Sequence, residues 1–467
     1  MKRQRSNLLE VLNLAAVLAA VAAGWVVRGK VPALRAASDQ ITERYGEAIV
    51  LRGEQLRSFL GRRPDEIEAI DARDHRLLVQ VDERDGAGNY VATEDGKLDA
   101  NDEVVVLAGD AGSPWSGDVL MPYALGYGVM ITDPLGGPDR WIYLGVDRLA
   151  FAPGEPLPEP AIRYLPAESR IAGASYAMDF AQPSTDGFIG PKGMRFSEGG
   201  ANLVDRLKIR FSVRTFLGLD TYTEEDIAAN AEVRAAEGPP PRIGPLRIVL
   251  DKLGSNAAYP RRLSISRGSY EEPDLPLGAV LEDLRMALDL SPAAIGATYR
   301  DSRGAAPVTI DGQPDTLASR PLPIWREYSF REGRLVLLSR ASAAAAEVRQ
   351  TYDDGTKAPD NDTGDKRLVG QVGVRADSMT RLGQADFPGE MVFLPADSPV
   401  SPERLAQEAA SPLRVSVSDW HPMGLETATP VATATKAASP SEPTPTKALP
   451  TATAGMARLW LPWLERR

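Results

Sequence analysis

Carboxylates are concentrated in two stretches of this sequence that could bind a divalent cation. The first covers residues 95–110, where an acidic turn passes directly into the apolar run 104–107. Calcium takes about six to eight oxygen ligands, mostly carboxylates and carbonyls, so an acid-rich turn is a natural place to look for it. The pattern predicts a polar loop leading into a buried strand, with Asp95, Asp99 and Asp102 as candidate metal ligands.

The segment Asp-Gly-x-Leu-Asp-x-x-Asp-Glu at 95–103 resembles the second half of an EF-hand or dockerin calcium loop. With Gly96 on the glycine of that loop, the three aspartates take its fifth, ninth and twelfth positions. Val91 and Thr93 stand where the first two acids of the loop belong, so the acidic calcium ligands of its first half are missing. The resemblance implies calcium as a ligand. A turn with solvated acids is the other interpretation.

The second acidic stretch covers residues 352–366. Its carboxylates could bind a divalent cation together with backbone carbonyls, or could be solvated loop acids. The candidate ligands are Asp353, Asp354, Asp360, Asp362 and Asp365.

Catalytic motifs are sparse. The sequence has no P-loop, no dinucleotide fingerprint, no His-Glu-x-x-His and no Gly-x-Ser-x-Gly, and its two histidines are His75 and His421. A glycosidase needs two carboxylates about 5–10 Å apart, a separation that sequence cannot establish. Four aromatic residues could stack on sugar rings or belong to the core: Trp141, Tyr143, Trp325 and Tyr328.

Composition narrows the class of protein. The chain has 467 residues, enough for two or three domains, with 41 Gly, 38 Pro and no Cys. Disulfides, thiolate metal sites and cysteine nucleophiles are therefore excluded. The net charge of −11 conceals +5 over residues 1–35 and +3 over 428–467, which leaves −19 between them. So acidic a body argues against nucleic acid as a partner.

The N-terminus has the features of an export signal. Lys2, Arg3 and Arg5 precede an apolar stretch at 8–27 in which 14–27 is uninterrupted. Fourteen apolar residues suit a cleaved signal peptide, whereas about 20 suit a membrane anchor. Residues 1–37 are predicted to be one or the other. In both cases the body lies outside the cytoplasm, either anchored to the membrane through 8–27 or secreted.

Strand signals and Gly/Pro/Asp turns dominate the body, so the fold class is expected to be mostly β, with two antiparallel sandwich-like domains and few short helices. Residues 127–132 and 140–146 predict a hairpin, and Ser401-Pro402-Glu403 predicts a helix start. Residues 277–290 fit either a helix or a strand. The expected divisions are a first β domain at 38–155, after which comes a Pro-rich joint, and a larger β-rich domain at 156–426.

The region 75–146 resembles an uncharacterised group of exported bacterial β-rich proteins. The features that carry the resemblance are the segment from Asp95 to Gly112 and the later Thr132-Asp133-Pro134 and Trp141-Ile142-Tyr143-Leu144. The group implies export and no known activity.

The C-terminal part changes character. Residues 427–455 are rich in Thr, Ala, Pro and Ser, which predicts a disordered spacer, and 456–467 form a Trp-rich basic tail. The tail is similar to the short apolar and basic ends of many exported bacterial proteins.

Together these features predict an exported β-rich protein with a binding or structural role at the cell envelope, and they favour a non-enzyme. Envelope glycans or proteins are the expected partners. Two alternatives stay open: a carbohydrate-active protein (a glycan-binding module, hydrolase or lyase) and an accessory subunit of an envelope complex.

Overall fold

The computed structural model describes residue 44 and the ranges 46–116, 122–149, 156–181, 189–215, 218–223, 225, 242–250, 256–265, 269–270, 280–304, 306–339, 348–357, 362–377, 385–386 and 389–420. In these residues the chain is mostly β, with strands in antiparallel sheets and one α-helix. No helix among them is long and apolar enough to cross a bilayer. The predicted signal or anchor, spacer and tail all lie outside the described residues.

The first part of the chain contributes to two sheets, and its strands are numbered here along the chain. One sheet has the order β1-β5-β4. The other has the order β29-β6-β7-β2-β3, and it takes its edge strand from the end of the described chain. The strands are β1 Ala48–Arg52, β2 Glu68–Ile70, β3 Arg76–Leu77, β4 Gln80–Asp82, β5 Glu103–Leu107, β6 Tyr123–Thr132, β7 Arg140–Arg148 and β29 Arg414–Trp420.

A single core lies between these two sheets. Alternate residues of β5, such as Val104 and Val106, pack with the inward residues of β6 and β7, such as Val129 and Leu144. This is the period-2 pattern of a half-buried strand. The predicted hairpin is confirmed, since β6 and β7 pair from Tyr123↔Arg148 to Ile131↔Arg140.

A four-stranded sheet of order β11-β10-β9-β8 comes next in the chain and is followed by a six-stranded sheet of order β13-β12-β19-β26-β25-β22. Residues 280–290 are a strand, which resolves the helix–strand ambiguity. The strands are β8 Ile162–Leu165, β9 Arg170–Gly173, β10 Ala177–Ala181, β11 Ile189–Arg195, β12 Val204–Thr215, β13 Gly218–Thr223, β19 Val280–Leu290, β22 Asp315–Pro321, β25 Val348–Asp354 and β26 Gln371–Asp377.

The largest sheet has nine strands in the order β14-β15-β16-β17-β28-β24-β23-β20-β21, and β18 pairs with β27 alone. The strands are β14 Arg242–Ile243, β15 Ile248–Val249, β16 Asn256–Ala258, β17 Arg262–Ile265, β18 Ser269–Tyr270, β20 Thr298–Asp301, β21 Val308–Thr309, β23 Trp325–Phe330, β24 Gly333–Ser339, β27 Ala385–Asp386 and β28 Gly389–Pro395. Short 3-10 turns occur at Gly53–Gln55, Arg57–Phe59, Pro64–Glu66, Ala108–Asp110, Pro166–Glu168 and Pro292–Ala294.

The helix α1, Pro402–Ala410, covers one face of the nine-stranded sheet. The predicted start is confirmed: Pro402 is the first helical residue, and Ser401 Oγ accepts a hydrogen bond of 3.1 Å from the amide of Arg404. Leu405 and Ala409 pack on a cluster that includes Trp325 and Val336. The helix therefore exists because a capped, amphipathic segment covers an apolar sheet face.

A buried ionic network joins the first sheets to the edge of the nine-stranded sheet. Arg247, 4% exposed, donates from Nε to Asp82 and from Nη2 to Glu103, each at 2.6 Å. Arg242 Nε donates to Asp82 at 2.9 Å, and the Gln80 side chain accepts hydrogen bonds from the amides of residues 246 and 247. These contacts fix β4 and β5 against the segment that carries β14 and β15.

Candidate functional site

The first predicted metal loop forms a turn in which Asp95 and Asp102 accept hydrogen bonds from backbone amides. Asp102, 1% exposed, accepts from the amide of Asp99 at 2.7 Å and from the amide of Arg84 at 2.8 Å. Burial raises the pKa of Asp102. Asp95 accepts from the amide of Lys97 at 2.9 Å and is exposed, as is Asp99. These bonds explain why acids occupy a turn, and calcium at this loop stays a prediction.

The second predicted set is divided between two places. Asp354 is fully buried and accepts three backbone hydrogen bonds of 2.9–3.0 Å, from the amides of residues 311, 312 and 370. Asp353 neighbours it on β25, and Asp360 lies outside the described residues. Asp362 and Asp365 belong to a different cluster, which is built around Lys208.

The Lys208 cluster lies at the junction of β12, β19 and the loop before β26. Lys208, 3% exposed, places Nζ 2.6 Å from Asp289 and 2.6 Å from Asp362. Arg210 donates to Asp362 at 2.8 Å, and Asp289 accepts from the amide of Val369 at 3.0 Å. Lys208 and Asp289, two buried strand residues, are thus joined to each other and to the loop before β26, which is distant from both in sequence.

Three carboxylates of this cluster come close enough to share a cation. The ligand atoms of Asp205, Asp289 and Asp365 lie within 4.8 Å of one another, and among the described residues this is the group that meets that criterion. The register of β12 shifts between Val204 and Arg206, so Asp205 is an extra residue in the ladder. Such a bulge redirects a side chain, here towards the loop. A Cβ on Gly364, whose φ is +76°, would overlap the carboxylate of Asp205.

Burial controls the protonation of the cluster. It raises the pKa of Asp289 to about 7 and also raises that of Asp205. Burial disfavours the charged ammonium of Lys208, but Asp289 and Asp362 outweigh it and raise the pKa of Lys208. The lysine therefore stays charged and supplies part of the positive charge that a metal ion would otherwise provide. Chemically, the cluster can act as a structural ion network or accept a divalent cation beside Lys208.

A second candidate site is the outer side of the five-stranded sheet, called here the aromatic face and made of Trp115, Tyr123, Trp141, Tyr143 and Trp420. The three tryptophans are partly buried and pack on Tyr123 and Tyr143. The rings of Trp141 and Tyr143 lie within 9° of parallel at 6.2 Å, and Trp115 meets Tyr143 edge-on at 5.6 Å.

Glycines in β6 and β7 make room for these rings. The Trp141 ring approaches Gly128, where a Cβ would lie 3.2 Å from it, and a Cβ on Gly145 would overlap the ring of Tyr123. Aromatic rings can therefore cover the backbone of the sheet at positions where glycine leaves it bare.

Charged groups border the aromatic face. Glu68 accepts from Tyr123 Oη at 2.7 Å and from Arg148 at 3.2 Å, and Arg148 also binds both carboxylate oxygens of Asp74 at 3.0 Å. His75 Nδ1 lies 2.9 Å from Asp71 at the same border. The face thus combines flat apolar rings with hydrogen-bonding groups at its edge.

Some of these residues could be found from sequence and others could not. Trp141 and Tyr143 were recognisable as an i, i+2 aromatic pair in a strand, whereas Trp115 and Trp420 come from segments far apart in the chain. Asp289 carried one signal, because it is a charged residue among the apolar residues of 286–290, whereas Lys208 takes a polar position of an alternating strand and carried none. Trp325 and Tyr328, the other candidates for sugar stacking, are buried in the described structure.

Comparisons with known proteins add little. The chain matches no protein-family model and no curated protein. Among solved structures, an α-N-acetylgalactosaminidase from Bifidobacterium bifidum, in complex with GalNAc, aligns with a TM-score of 0.23 at 7% identity. The alignment covers 49% of this chain and 36% of that enzyme, so about a third of the enzyme's length is spanned. A likeness at this level carries no argument.

Proposed function

We propose that this protein is an exported β-rich binding protein, tethered to the envelope by residues 8–27, and that it contacts a protein partner through the aromatic face. One observation carries the proposal: three partly exposed tryptophans gather on the outer side of a sheet whose inner side is fully packed. In soluble proteins, apolar side chains that are clustered on the surface and remain exposed to solvent mark interaction sites.

The composition of the aromatic face supports a protein as the partner. Trp, Tyr, Met and Arg are the side chains enriched in protein–protein interfaces, and Trp, Tyr and Arg dominate their energetic hot spots. Met130 pairs with Trp141 across β6 and β7, and Arg148 packs its guanidinium 5.3 Å from the ring of Tyr123. A partner that covered this face would bury aromatic surface at the centre and meet charged groups at the rim.

The buried acids support a binding role over catalysis. Arg247 neutralises Asp82 and Glu103, and Lys208 and Arg210 neutralise Asp362. Asp179 is held by two arginines, at positions 170 and 195. Carboxylates paired in this way hold strands together, whereas an acid–base pair needs one proton donor and one acceptor directed at a substrate.

Fractionation tests the tether. We expect the full-length protein to start at Met1, to sediment with membranes and to be released by detergent but not by high salt. Deletion of residues 8–27 should leave it in the cytoplasm. Recovery of wild-type protein from the soluble cytoplasm would overturn the export proposal, and a mature N-terminus beyond residue 22 would replace the tether by a cleaved signal.

Photo-crosslinking tests the binding surface. Ser418 is exposed on β29 beside Trp420, so a photoreactive residue placed there in cells should give one discrete adduct. Trp141→Ala should remove that adduct without lowering the amount of protein. The matched control is Ile324→Ala, which removes an apolar side chain that is 63% exposed elsewhere. An adduct that survives Trp141→Ala, or no adduct at all, refutes this surface as the interface.

A glycan is the second candidate ligand, and one observation favours it. The partly exposed ring of Trp141, which packs near-parallel to the buried ring of Tyr143, offers a stacking surface, and Glu68 and Arg148 at the edge of the aromatic face offer hydrogen bonds. Titration of soluble envelope polysaccharide fragments by calorimetry checks this. Heat that is abolished by Trp141→Ala but not by Ile324→Ala would identify a glycan-binding surface; no heat would eliminate it.

A further inference from the structure

Lys208 of β12 and Asp289 of β19 lie on one face of the six-stranded sheet with their side chains in contact. Arg206 is opposite Asp289 in the register of the two strands, and Lys208 follows two residues later on the same face. Asp289 is 0% exposed, and Lys208 is 3% exposed. The Nζ atom of Lys208 lies 2.6 Å from Asp289 Oδ2. The two side chains therefore meet diagonally across neighbouring strands and are shielded from solvent.

Asp362 holds the amine of Lys208 from the loop before β26. It is 2% exposed, and its Oδ2 accepts a hydrogen bond of 2.6 Å from Lys208 Nζ, while Arg210 donates to its Oδ1 at 2.8 Å. The approach of Nζ to Asp289 Oδ2, at the same distance, lacks the alignment of a hydrogen bond. One amine hydrogen is thus directed to Asp362, while the nitrogen stays beside the carboxyl group of Asp289.

The nitrogen of Lys208 is also close to the carboxyl carbon of Asp289. Because a carbon–oxygen bond is about 1.2 Å long, the 2.6 Å contact with Oδ2 places Nζ no more than about 3.8 Å from Cγ. Reacting groups held about 3–3.5 Å apart in a fixed orientation reach effective concentrations of about 10⁵–10⁸ M. An amine and a carboxylic acid, which do not condense in dilute aqueous solution, can form an amide at such concentrations.

Burial favours the uncharged form of this pair. Moving one proton from Lys208 to Asp289 turns an ion pair into an amine and a carboxylic acid without changing the number of protons. The neutral pair avoids the cost of two charges that are removed from water. It is also the reactive form, since an amine is a nucleophile and a protonated carboxyl can lose its hydroxyl as water. Exclusion of bulk water from the site protects the product against hydrolysis.

We propose that Lys208 and Asp289 condense to an intramolecular amide that joins β12 to β19 covalently, with Asp362 as the proton carrier. The bond forms in the folded chain, because pairing of the two strands brings the reacting atoms together. Until it forms, the Lys208 cluster remains the network described above. This modification is independent of the partner that the aromatic face would bind.

The reaction balances without an oxidant or a cofactor. The lone pair of Lys208 Nζ attacks Cγ of Asp289, and Asp362 takes one proton from the nitrogen as the N–C bond forms. Asp362 then returns this proton to the leaving hydroxyl of Asp289, so the C–O bond breaks and one water leaves. The amide keeps one N–H, and Asp362 ends as a carboxylate paired with Arg210.

The intact mass of the full-length chain under denaturing conditions tests the bond. We expect a mass about 18 Da below that calculated for the chain between its sequenced termini, because one water is lost. Tandem mass spectra of a digest should show peptides joined through Lys208 and Asp289. Lys208→Arg keeps the charge but removes the nucleophilic amine, so the full mass should return. Lys192→Arg, which changes an exposed lysine of β11, is the matched control and should retain the loss.

Two results would overturn the bond: wild-type protein at its full calculated mass, or a loss of about 18 Da that survives Lys208→Arg, which indicates dehydration of another aspartate. The mass of wild type decides the question even where a variant fails to fold. Asp362→Asn should leave a folded chain largely at full mass, because the amide cannot accept the proton. Complete reaction of Asp362→Asn would refute Asp362 as the proton carrier.

Discussion

Arg247→Met should be among the most destabilising single changes in the described structure. The guanidinium forms two ion pairs at 2.6 Å with Asp82 and Glu103 and lies 5.4 Å from the ring of Tyr90. Breaking a buried ion pair by removing one partner costs about 3–5 kcal/mol. Because Asp82 keeps Arg242 and Glu103 keeps Arg84, at 3.2 Å, the low end of that range applies. We expect a loss of about 3 kcal/mol.

Thermal and urea denaturation measure this loss. Because the unfolding entropy scales with chain length, a body of this size loses about 1–2 °C in Tm per kcal/mol, so Tm should fall by roughly 3–6 °C. Arg331→Met provides the control, because an exposed pair contributes at most about 1 kcal/mol. A fall in Tm no larger than that of the control would show that the network of Arg247 does not hold the first sheets to β14 and β15.

The pH dependence gives an independent check on the same residue. Burial raises the pKa of Glu103, but Arg247 and Tyr90 outweigh it, so the pKa ends below its usual value. A carboxyl with a lowered folded-state pKa contributes stability that is complete above its unfolded pKa and is lost as pH falls through the folded one. The difference between wild type and Arg247→Met should therefore be largest at neutral pH and shrink below about pH 4.

Other changes probe the Lys208 cluster and the helix. Because the pKa of Asp289 is raised to about 7, its contribution to stability is complete below about pH 4 and declines as pH rises to 7, so Asp289→Asn should flatten Tm between pH 5 and 7. If the cluster holds a divalent cation, millimolar calcium should raise Tm more at pH 8 than at pH 5, since ligands must be deprotonated; no shift at either pH argues for an ion network alone. Gly364→Ala should cost about 1–3 kcal/mol in urea denaturation, because it combines a positive φ with overlap on Asp205. Ser401→Ala should cost about 1 kcal/mol by removing the cap of α1, and no loss would show that packing alone holds the helix.

Local patterns predicted local structure well. The turn between β6 and β7 contains two glycines with positive φ, Gly136 and Gly137, and their presence in the sequence was sufficient to predict the hairpin. The start of α1 could also be predicted from sequence, because the Ser cap and the Pro that follows it fix the first turn of the helix within four residues.

Longer-range features could not be predicted in the same way. Residues 280–290 satisfied both helical and strand periodicity, and the choice came from pairing with β12 on one side and β26 on the other. Asp365 was visible as a loop acid, but its partners Asp205 and Asp289 belong to strands that only tertiary pairing brings to it. Pairing partners are not encoded in any short window of sequence, so sites built across strands escape a motif search.

Because β29 pairs with β6, the sheet that contains both strands can be completed only late in the synthesis of the chain. Residues 414–420 hydrogen-bond along 126–132, so the five-stranded sheet remains one strand short until almost the whole body has been made. Until then the backbone of β6 presents an unpaired edge, which is a template for association with other chains. Contacts between such distant segments also slow folding. A chain truncated before residue 414 should therefore aggregate, even though every other strand of its first two sheets is intact.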